Sequence, residues 1–390
     1  MARAVGQVVG DRLDGGVVIV KEGYAGESTT TTTAGDEPSI HAISILEAGH
    51  PIPDERGVSG AGQLIDILKD TQPDDLVISV ISGGGSALLV SPAPGLALKD
   101  LQDLTSALLA SGATINEINS LRKHLEQVKG GGLARLAAPA TLITLILSDV
   151  VGDPLDVIAS GPTVPDPSTF SEAYQVLKRY DILDKVPQAV IAQLQHGLQG
   201  QIPETPKPGD ALFSRVQNVI VGSNQQAAQA GLTQAQAEGF QALLLTTFLQ
   251  GEARQAGGLL AAIARQVSKK GQPIPRPACL IAGGETTVTL RGDGLGGRNQ
   301  EMALSAVSEL AGLPDLALIT LATDGGDGPT DAAGAVVTGE TLARAHQLGL
   351  NPEDFLARND SYHFFSALDD LLCPGPTQTN VNDLAFIIAM

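Results

Sequence analysis

Aliphatic runs that lead into glycine-rich or acidic loops recur along the chain, and helices separate them. Residues 76–81 lead into SGGGSALL, residues 142–147 end before Ser148 and Asp149, and residues 316–322 lead into TDGGDGPTDAAG. Aliphatic strands that alternate with Ala-rich helices are typical of parallel sheets buried on both faces. Aromatic residues make up only 3% of the chain, so Ala, Leu, Ile and Val must fill the cores. The pattern predicts an α/β fold.

The chain is too long for one ordinary hydrophobic core. With 390 residues, and with domains of roughly 100 to 200 residues as the norm, we expect two domains. The Pro-rich loop QIPETPKPGD ends at residue 210, and such loops commonly separate domains. We therefore predict an N-terminal domain at 1–210 and a C-terminal domain at 211–390.

Local patterns predict the individual elements. Ser59 is the expected N-cap of a helix at 59–69, and CLIAGGETTVTLR is expected to form a hairpin that turns at Gly283 and Gly284. The low-complexity stretch 25–39 should be an exposed loop. Strands are expected at 16–20, 43–46, 76–81, 142–147, 219–221, 242–247, 316–322 and 386–389, and helices at 2–13, 59–69, 98–111, 115–127, 253–269 and 299–310.

Composition excludes several classes of function. The formal net charge is −19, which repels nucleic acid and anionic membranes, so we expect neither as a partner. No apolar run approaches the ~20 residues of a membrane-spanning helix, and the first residues lack the apolar core of a signal peptide. Cys279 and Cys373 match no metal spacing. A cytoplasmic protein is expected.

The SGGGS loop at Ser82, Gly83, Gly84, Gly85 and Ser86 is a candidate ligand site. Successive backbone N–H groups after a strand can converge on a phosphate or a carboxylate. The Walker spacing is absent. The alternative is a tight turn that needs its glycines for backbone conformation only.

GDGLGGRNQE, residues 292–301, formally fits G-x-G-x-x-G through Gly292, Gly294 and Gly297. This fit raises a dinucleotide-binding alternative. Its context is unsuitable, because the preceding residues resemble one arm of a hairpin. The loop also delivers Arg298 at a helix start, which suits an anion clamp; an exposed, solvated arginine is the alternative.

Acidic and basic side chains mark two further candidate sites. Asp149, Asp324 and Asp327 follow strands, where ligands bind in open α/β sheets, so they suit metal binding or general-base work. Asp is also common in turns. A cationic face on the helix at 115–127 and just beyond it is expected to be solvated, with a second anion site as the alternative; its members are Asn119, Arg122, Lys123, His124 and Lys129.

The order of longer motifs resembles one enzyme family. HPIPDERG, SGGGSALL, RKHLEQVKGGGLA, LSDVVGDPLDVIASGPTVPDPSTF, GEAR, GGETTV, GGRNQE, ATDGGDGPTDAAG and GPTQTNVNDL follow each other as in glycerate 2-kinases of the MOFRL class. The resemblance implies a Rossmann-like α/β/α sandwich, a C-terminal α/β domain with a mixed sheet, and an active site between them. It implies a catalytic Arg298, an acid at Asp324 and ligand contacts from Ser82 to Ser86.

The remaining site residues complete this assignment. Asn299, Glu301 and Lys123 are expected to contact substrate or nucleotide, and Asp149 and Asp327 to bind metal. The expected activity is phosphorylation of D-glycerate to 2-phosphoglycerate, with ATP and Mg²⁺ as cofactors. The alternatives are an NAD(P)H-dependent hydroxypyruvate reductase and a ligand-binding protein without catalysis.

The resemblance also concerns the start of the chain. The family has an upstream strand and a Gly-Lys-Ala loop whose lysine is thought catalytic, and Met1 falls just after it. We therefore expect low glycerate-dependent ATP consumption, which extension upstream would raise. We also expect an exposed sheet edge beside residues 16–20, which a second copy of the chain could cover as a homodimer.

Overall fold

A computed structural model describes residues 1–25 and 43–390. These residues divide into two compact units, one formed by Met1–Ile146 and Pro154–Val221 and the other by Leu147–Asp153 and Gly222–Met390. The domain boundary expected at residue 210 stays a prediction. The loop expected at 25–39 lies, except for Ala25, outside the described residues. Among the helices of the described ranges, none is long and apolar enough to cross a membrane.

The first unit combines parallel strand pairs with helices. β1 pairs in parallel with β2, and β3 pairs in parallel with β4 in a sheet of order β3-β4-β5. Its elements, wholly or for most of their length, are β1 (Gly16–Lys21), β2 (Ile43–Ala48), β3 (Leu76–Ile81), β4 (Thr141–Leu147), β5 (Val216–Gly222), α1 (Ala2–Val9), α2 (Glu55–Leu68), α3 (Gly85–Leu88), α4 (Leu98–Ser111), α5 (Ile115–Leu125), α6 (Gly132–Ala137), α7 (Phe170–Arg179) and α8 (Gln188–Leu198).

The second unit is built on a mixed sheet of order β10-β9-β8-β11-β7-β6. Among the residues that the structure describes, β6 and β7 pair in parallel in this sheet, and the other neighbouring strands pair antiparallel. Its elements are α9 (Asn224–Ala237), β6 (Gln241–Glu252), α10 (Ala253–Lys270), β7 (Ala278–Thr287), α11 (Arg298–Leu310), β8 (Leu316–Ala322), β9 (Gly334–Thr338), α12 (Thr341–Gln347), α13 (Pro352–Ala357), α14 (Ser361–Leu368), β10 (Leu371–Leu372) and β11 (Asp383–Ala389).

Each unit has its own aliphatic core. In the first, buried Leu, Ile and Val side chains of α4, α5, α7 and α8 pack together. In the second, α10 and α11 pack on the sheet through small and branched side chains. The predicted α/β class with two domains and a mixed C-terminal sheet is confirmed.

Three predicted helix bounds are wrong by two residues or more. The helix expected at 2–13 ends as an α-helix at Val9, and a 3-10 turn follows to Arg12. α2 begins at Glu55, because Asp54 and not Ser59 is the N-cap: its carboxylate accepts the N–H groups of Arg56 at 3.1 Å and Gly57 at 3.2 Å. The helix expected at 115–127 ends at Leu125. Glu126 is extended there and bridges to Pro92, which takes the chain out of the helix.

The hairpin predicted around Gly283 and Gly284 does not form. Both glycines lie inside the continuous strand β7, which pairs with β6 on one side and β11 on the other. Asn224 approaches so closely that a Cβ on Gly283 would lie 1.9 Å from its Oδ1. The glycines therefore serve close packing in a central strand, which the sequence pattern confuses with a turn.

Candidate functional site

Arg298 is the first residue of α11, and a buried carboxylate caps this helix. Asp327 Oδ1 accepts the N–H of Asn299 at 3.1 Å, and Oδ2 accepts that of Gln300 at 2.9 Å. An anion at a helix N-terminus satisfies free N–H groups and complements the helix dipole. Burial raises the pKa of Asp327 to about 6, although these N–H groups favour its ionised form. The cap fixes the position from which the Arg298 side chain starts.

Two carboxylates hold the Arg298 guanidinium. Nε lies 2.6 Å from Asp383 Oδ2 and Nη2 lies 3.1 Å from Oδ1, while Nη1 lies 2.7 Å from Glu285 Oε1. The antiparallel register of β11 on β7 places Asp383 opposite Gly284 and so beside Glu285. A forked, two-point contact fixes both the position and the plane of a guanidinium. Arg298 keeps 30% of its side chain exposed, so one face can still meet a ligand.

Negative charge is in excess around Arg298. Burial raises the pKa of Glu285, and the neighbouring charges of Asp383 and Asp149 add to the rise, while Arg298 opposes it. Burial likewise raises the pKa of Asp383; Arg298 counters this, and Asp324 contributes to the rise. Carboxylates that raise each other's pKa lack sufficient positive charge, and an added cation would relieve this. The second unit thus gathers Arg298, Asp149, Asp324 and Asp327 into one electrostatic neighbourhood.

Asp324 and Asp149 differ from the buried acids. Asp324 is exposed in the loop after β8, and its Oδ1 accepts the N–H of Gly326 at 3.1 Å. Asp149 is half-buried in the segment Leu147–Asp153, which belongs to the second unit. An exposed and a half-buried carboxylate are available to ligands in a way that the capping Asp327 is not.

Asn299 and Glu301 point into the protein. Asn299 is fully buried; its Nδ2 donates to Asp327 Oδ1 at 3.3 Å. Glu301 Oε1 accepts from Arg254 Nε at 3.0 Å and Nη2 at 2.7 Å, and Oε2 accepts from Asn359 Nδ2 at 2.8 Å. Glu301 is only 2% exposed. Both carboxylate oxygens of Glu301 thus have protein partners. The expected contact of Glu301 with a ligand stays a prediction.

The glycines of the G-x-G-x-x-G match face protein. A Cβ on Gly292 would lie 2.6 Å from the carbonyl oxygen of Arg358, and one on Gly294 would lie 2.5 Å from Asp360 Cβ. Ten residues, 288–297, separate the end of β7 from the start of α11, whereas the dinucleotide fingerprint turns directly from strand into helix. The glycines are explained by packing on the segment that ends α13, which weakens the dinucleotide alternative.

In the first unit the loop Ser82–Ser86 follows β3, and its last two residues, Gly85 and Ser86, begin the short helix α3. Gly84 has φ 82°, a left-handed conformation that favours glycine. A Cβ on Gly85 would lie 2.8 Å from Ala159 Cβ. Ser82 is exposed and the following residues of the loop are half-buried. The loop therefore reaches the surface of its unit while its far side packs against Ala159.

The cationic face expected to be solvated is mostly buried, so that default expectation is wrong. Lys123, 5% exposed, lies 3.4 Å from Asp166 and 3.5 Å from Asp156. His124 Nε2 lies 3.1 Å from Glu204 Oε2. Both side chains face carboxylates of the same unit because α5 packs inside it. An anion at Lys123 would compete with two acids.

Two families match the chain in the order of its units. Residues 1–195 match the family described as a domain of unknown function, DUF4147, and residues 278–383 match the MOFRL family. A glycerate 2-kinase of Pyrococcus horikoshii is 43% identical over 100% of this chain and 84% of its own length. The chain belongs to the glycerate 2-kinase family.

Two further relatives bear on the fold and on the reductase alternative. The crystal structure of glycerate kinase from Thermotoga maritima superposes with a TM-score of 0.91 at 42% identity, over 100% of this chain and 88% of that one. A protein of Agrobacterium vitis, provisionally named a hydroxypyruvate reductase, is 43% identical over 100% of this chain and 96% of its own length. The latter name matches the reductase alternative, whose glycine motif the geometry does not favour.

The protein alone forms no complete metal cage within residues 1–25 and 43–390, where no group of three or more His, Cys, Asp or Glu side chains could hold an ion. Mg²⁺ in kinases is usually bound by one or two carboxylates together with nucleotide phosphates. The carboxylates near Arg298 fit this second arrangement. For a member of the glycerate 2-kinase family, the metal assignments of Asp149 and Asp327 stay predictions.

Sequence reasoning missed three residues that organise the two candidate sites. Asp383 and Glu285 lie in GPTQTNVNDL and GGETTV, motifs shared with the glycerate 2-kinases, but no local feature linked them to Arg298. Lys129 was placed on a solvated face, and it is buried against the glycine loop. The contact of Lys129 with the loop that contains Gly83, Gly84 and Gly85 can be recognised only from the structure.

Proposed function

We propose that this protein transfers the γ-phosphoryl group of ATP to the 2-hydroxyl of D-glycerate. The observation that carries the proposal is full-length similarity, at 43% identity, to a protein named glycerate 2-kinase. Phosphoryl transfer depends chiefly on positioning and charge neutralisation. The acid-held Arg298 in the second unit is suited to that task.

Arg298 is the proposed catalytic residue. As the phosphoryl group transfers, negative charge spreads over its equatorial oxygens, and fixed cationic donors stabilise that charge without reorganising. Asp383 and Glu285 hold the guanidinium at 2.6 to 3.1 Å. Two carboxylate partners also keep Arg298 from swinging into solvent when no substrate is bound.

Asp324 is the proposed general base. The substrate's 2-hydroxyl oxygen forms a bond to the γ-phosphorus, the bond from that phosphorus to the β–γ bridging oxygen breaks, and ADP leaves with the electron pair. The hydroxyl proton passes to Asp324, whose exposed carboxylate is anchored by the N–H of Gly326. The products are 2-phosphoglycerate and ADP.

Asp149 is the proposed primary contact for Mg²⁺, and Asp327, which caps α11, is the second proposed metal-binding residue. When bound, Mg²⁺ neutralises phosphate charge and orients the nucleotide. The excess of carboxylates over Arg298 supports this assignment, because Asp149 and Asp383 both disfavour ionisation of Glu285. The carboxylates are hard oxygen ligands, as Mg²⁺ requires.

The remaining ligand contacts are proposed in both units. Ser82, Gly83, Gly84, Gly85 and Ser86 would hold either a phosphate or the glycerate carboxylate, and Lys123 would contact substrate or nucleotide. Asn299 and Glu301 would act from α11. The proposal places the enzyme in the cytoplasm, as a possible homodimer, without nucleic acid or membrane as partner; the net charge of −19 supports the last two points.

Two reactions test the activity. The chain is incubated with D-glycerate, ATP and Mg²⁺, and separately with hydroxypyruvate and NADH. We expect ADP formation that depends on D-glycerate, with no oxidation of NADH. NADH oxidation without ADP formation would contradict the proposal and support the reductase. Binding of D-glycerate without either reaction would show a ligand-binding protein without catalysis.

A further inference from the structure

A buried ion pair in the first unit contacts both ends of the segment that follows the glycine loop. Lys129 and Glu126 are 1% and 3% exposed, and their Nζ and Oε1 atoms lie 3.0 Å apart. Lys129 Nζ also donates to the carbonyl oxygen of Ser86, and Glu126 Oε2 accepts the N–H of Ser91 at 3.3 Å. The pair therefore clamps the chain at two points five residues apart.

The backbone groups held by this pair have few other partners. Ser86 lies in the four-residue helix α3, whose last carbonyls have no partner within the helix. A buried carbonyl or N–H without a hydrogen bond is costly. Gln127 continues the clamp, because its N–H donates to the carbonyl of Ser91 at 2.8 Å. The segment from Ser86 to Ser91 thus depends on residues 126–129 for its position.

The residues after Lys129 hold a second, strained segment. Ala159 and Ser160 have φ of 50° and 61°, values that non-glycine residues rarely adopt. Gly130 donates its N–H to the carbonyl of Ser160 at 3.0 Å, and Gly131 donates to that of Gly161 at 2.8 Å. Strain of this kind persists only where surrounding contacts impose it.

A hydroxyl contact joins the strained turn to the glycine loop. The Oγ atoms of Ser86 and Ser160 lie 3.0 Å apart, and Ser160 Oγ donates to Asn119 Oδ1 at 3.0 Å. Because Ser160 uses its only proton on Asn119, Ser86 must be the donor between the two serines. Ser86 is therefore fixed twice, by its carbonyl through Lys129 and by its hydroxyl through Ser160.

Stability alone does not explain the buried pair. Burial raises the pKa of Glu126 and lowers that of Lys129, so burial opposes both charges; Arg122 nearby favours the charge of Glu126 and disfavours that of Lys129. Buried ion pairs can often be replaced by neutral groups without loss of stability. What a neutral pair could not supply is a cationic donor for the Ser86 carbonyl.

We propose that Lys129 is a positioning residue that sets the conformation of the loop Ser82–Ser86. It acts through the Ser86 carbonyl and, through Gly130 and Gly131, through the strained turn that carries Ser160. Its effect on turnover rests on the proposed function, in which this loop holds a ligand. Its effect on the loop itself does not.

The test uses the double variant K129M/E126Q in the full chain. Met removes the donor to Ser86, and Gln keeps an oxygen for the N–H of Ser91, so neither partner of the pair is left charged without the other. K99M, at an exposed lysine of α4, is the matched control. S160A is the second variant; it removes the hydroxyl contact without altering any charge. Amide hydrogen exchange of the peptide spanning 84–89 and the KM for ATP and D-glycerate are measured.

We expect exchange in this peptide to rise about tenfold or more in K129M/E126Q and less in S160A, with K99M unchanged. We expect the KM of one substrate to rise about tenfold, with kcat changed less. Unaltered exchange in K129M/E126Q would overturn the positioning role of Lys129, whatever S160A shows. Raised exchange with both KM values unaltered would support it and contradict the ligand role of the loop. If K129M/E126Q fails to fold, K129M/E126M, which replaces both charged side chains by apolar ones of similar length, is measured on the same criterion.

Discussion

Arg298 and Asp383 form a two-point ion pair across 85 residues of sequence, with Nε 2.6 Å from Oδ2 and Nη2 3.1 Å from Oδ1. The register of β11 on β7 creates this contact. The two-point contact with Asp383 fixes the orientation of the Arg298 guanidinium, so that its N–H groups can donate in a fixed direction.

Replacing Arg298 by Ala should lower kcat at least about 100-fold, or about 3 kcal/mol, because a group that acts on transition-state charge is lost. Arg298→Lys should restore little, since an ammonium cannot reproduce the planar fork. Arg265→Ala, at an exposed pair with Glu309, is the control. Turnover and thermal unfolding are measured together. A lower Tm with near-normal turnover would make Arg298 structural.

Asp327 should make the stability of the second unit depend on pH. Its folded pKa of about 6 exceeds the ordinary 3.8. The stability it supports is fully present below the unfolded pKa and is lost as pH rises through the folded pKa. The total is about 3 kcal/mol, of which about 1 kcal/mol falls between pH 5 and 7. Denaturant unfolding measures the free energy of unfolding of the wild type and of Asp327→Asn at each pH. The wild-type value minus the variant value should fall between about pH 5 and 7; a difference that grows with pH would contradict this.

Glu301→Gln should lower the free energy of unfolding by about 2 kcal/mol, because the half-buried Arg254 would lose its closest carboxylate and keep Glu252, at 3.5 Å, as a charged partner. Glu309→Gln on the same helix breaks an exposed pair with Arg265 and should cost less than about 1 kcal/mol. Denaturant unfolding measures both. Unchanged stability in Glu301→Gln, together with a raised KM, would instead place Glu301 in direct contact with a ligand.

Asp149→Asn should raise the Mg²⁺ concentration needed for half-maximal turnover about tenfold or more, because a charged oxygen ligand is replaced by a neutral one. Asp315→Asn, at an exposed acid of the same unit, should leave it within about twofold. Titrating Mg²⁺ at saturating ATP compares them. Equal requirements in the two variants would remove Asp149 from the metal site.

Local sequence predicted the regular elements better than their junctions. β3, α4 and β8 have their predicted bounds, because an aliphatic run or a capped amphipathic stretch ends at clear turn residues. The start of α2 was placed too late, since its first turn carries charged and small residues and the capping Asp54 precedes the apolar pattern. The sequence predicts a turn at the two glycines of β7, because the packing of Gly283 against Asn224 and that of Gly284 against Leu249 are tertiary contacts.

The same limit applies to the sites. Arg298 and Asp327 could be named because a glycine loop before a helix and an acid after a strand are local signals. Asp383 and Glu285 reach Arg298 only through strand register, and Lys129 reaches Ser86 across 43 residues. Contacts between distant segments depend on how the elements pack, which spacing along the chain does not encode.

Identification of the phosphorylated product tests the central claim most directly. The chain is incubated at high concentration and for long times with D-glycerate, ATP and Mg²⁺, because the product and not the rate carries the claim. Phosphorus and carbon NMR then locate the phosphate. We expect 2-phosphoglycerate, which should be absent from the Arg298→Ala reaction. Formation of 3-phosphoglycerate, or an unaltered D-glycerate pool beside reduction of hydroxypyruvate by NADH, would contradict it.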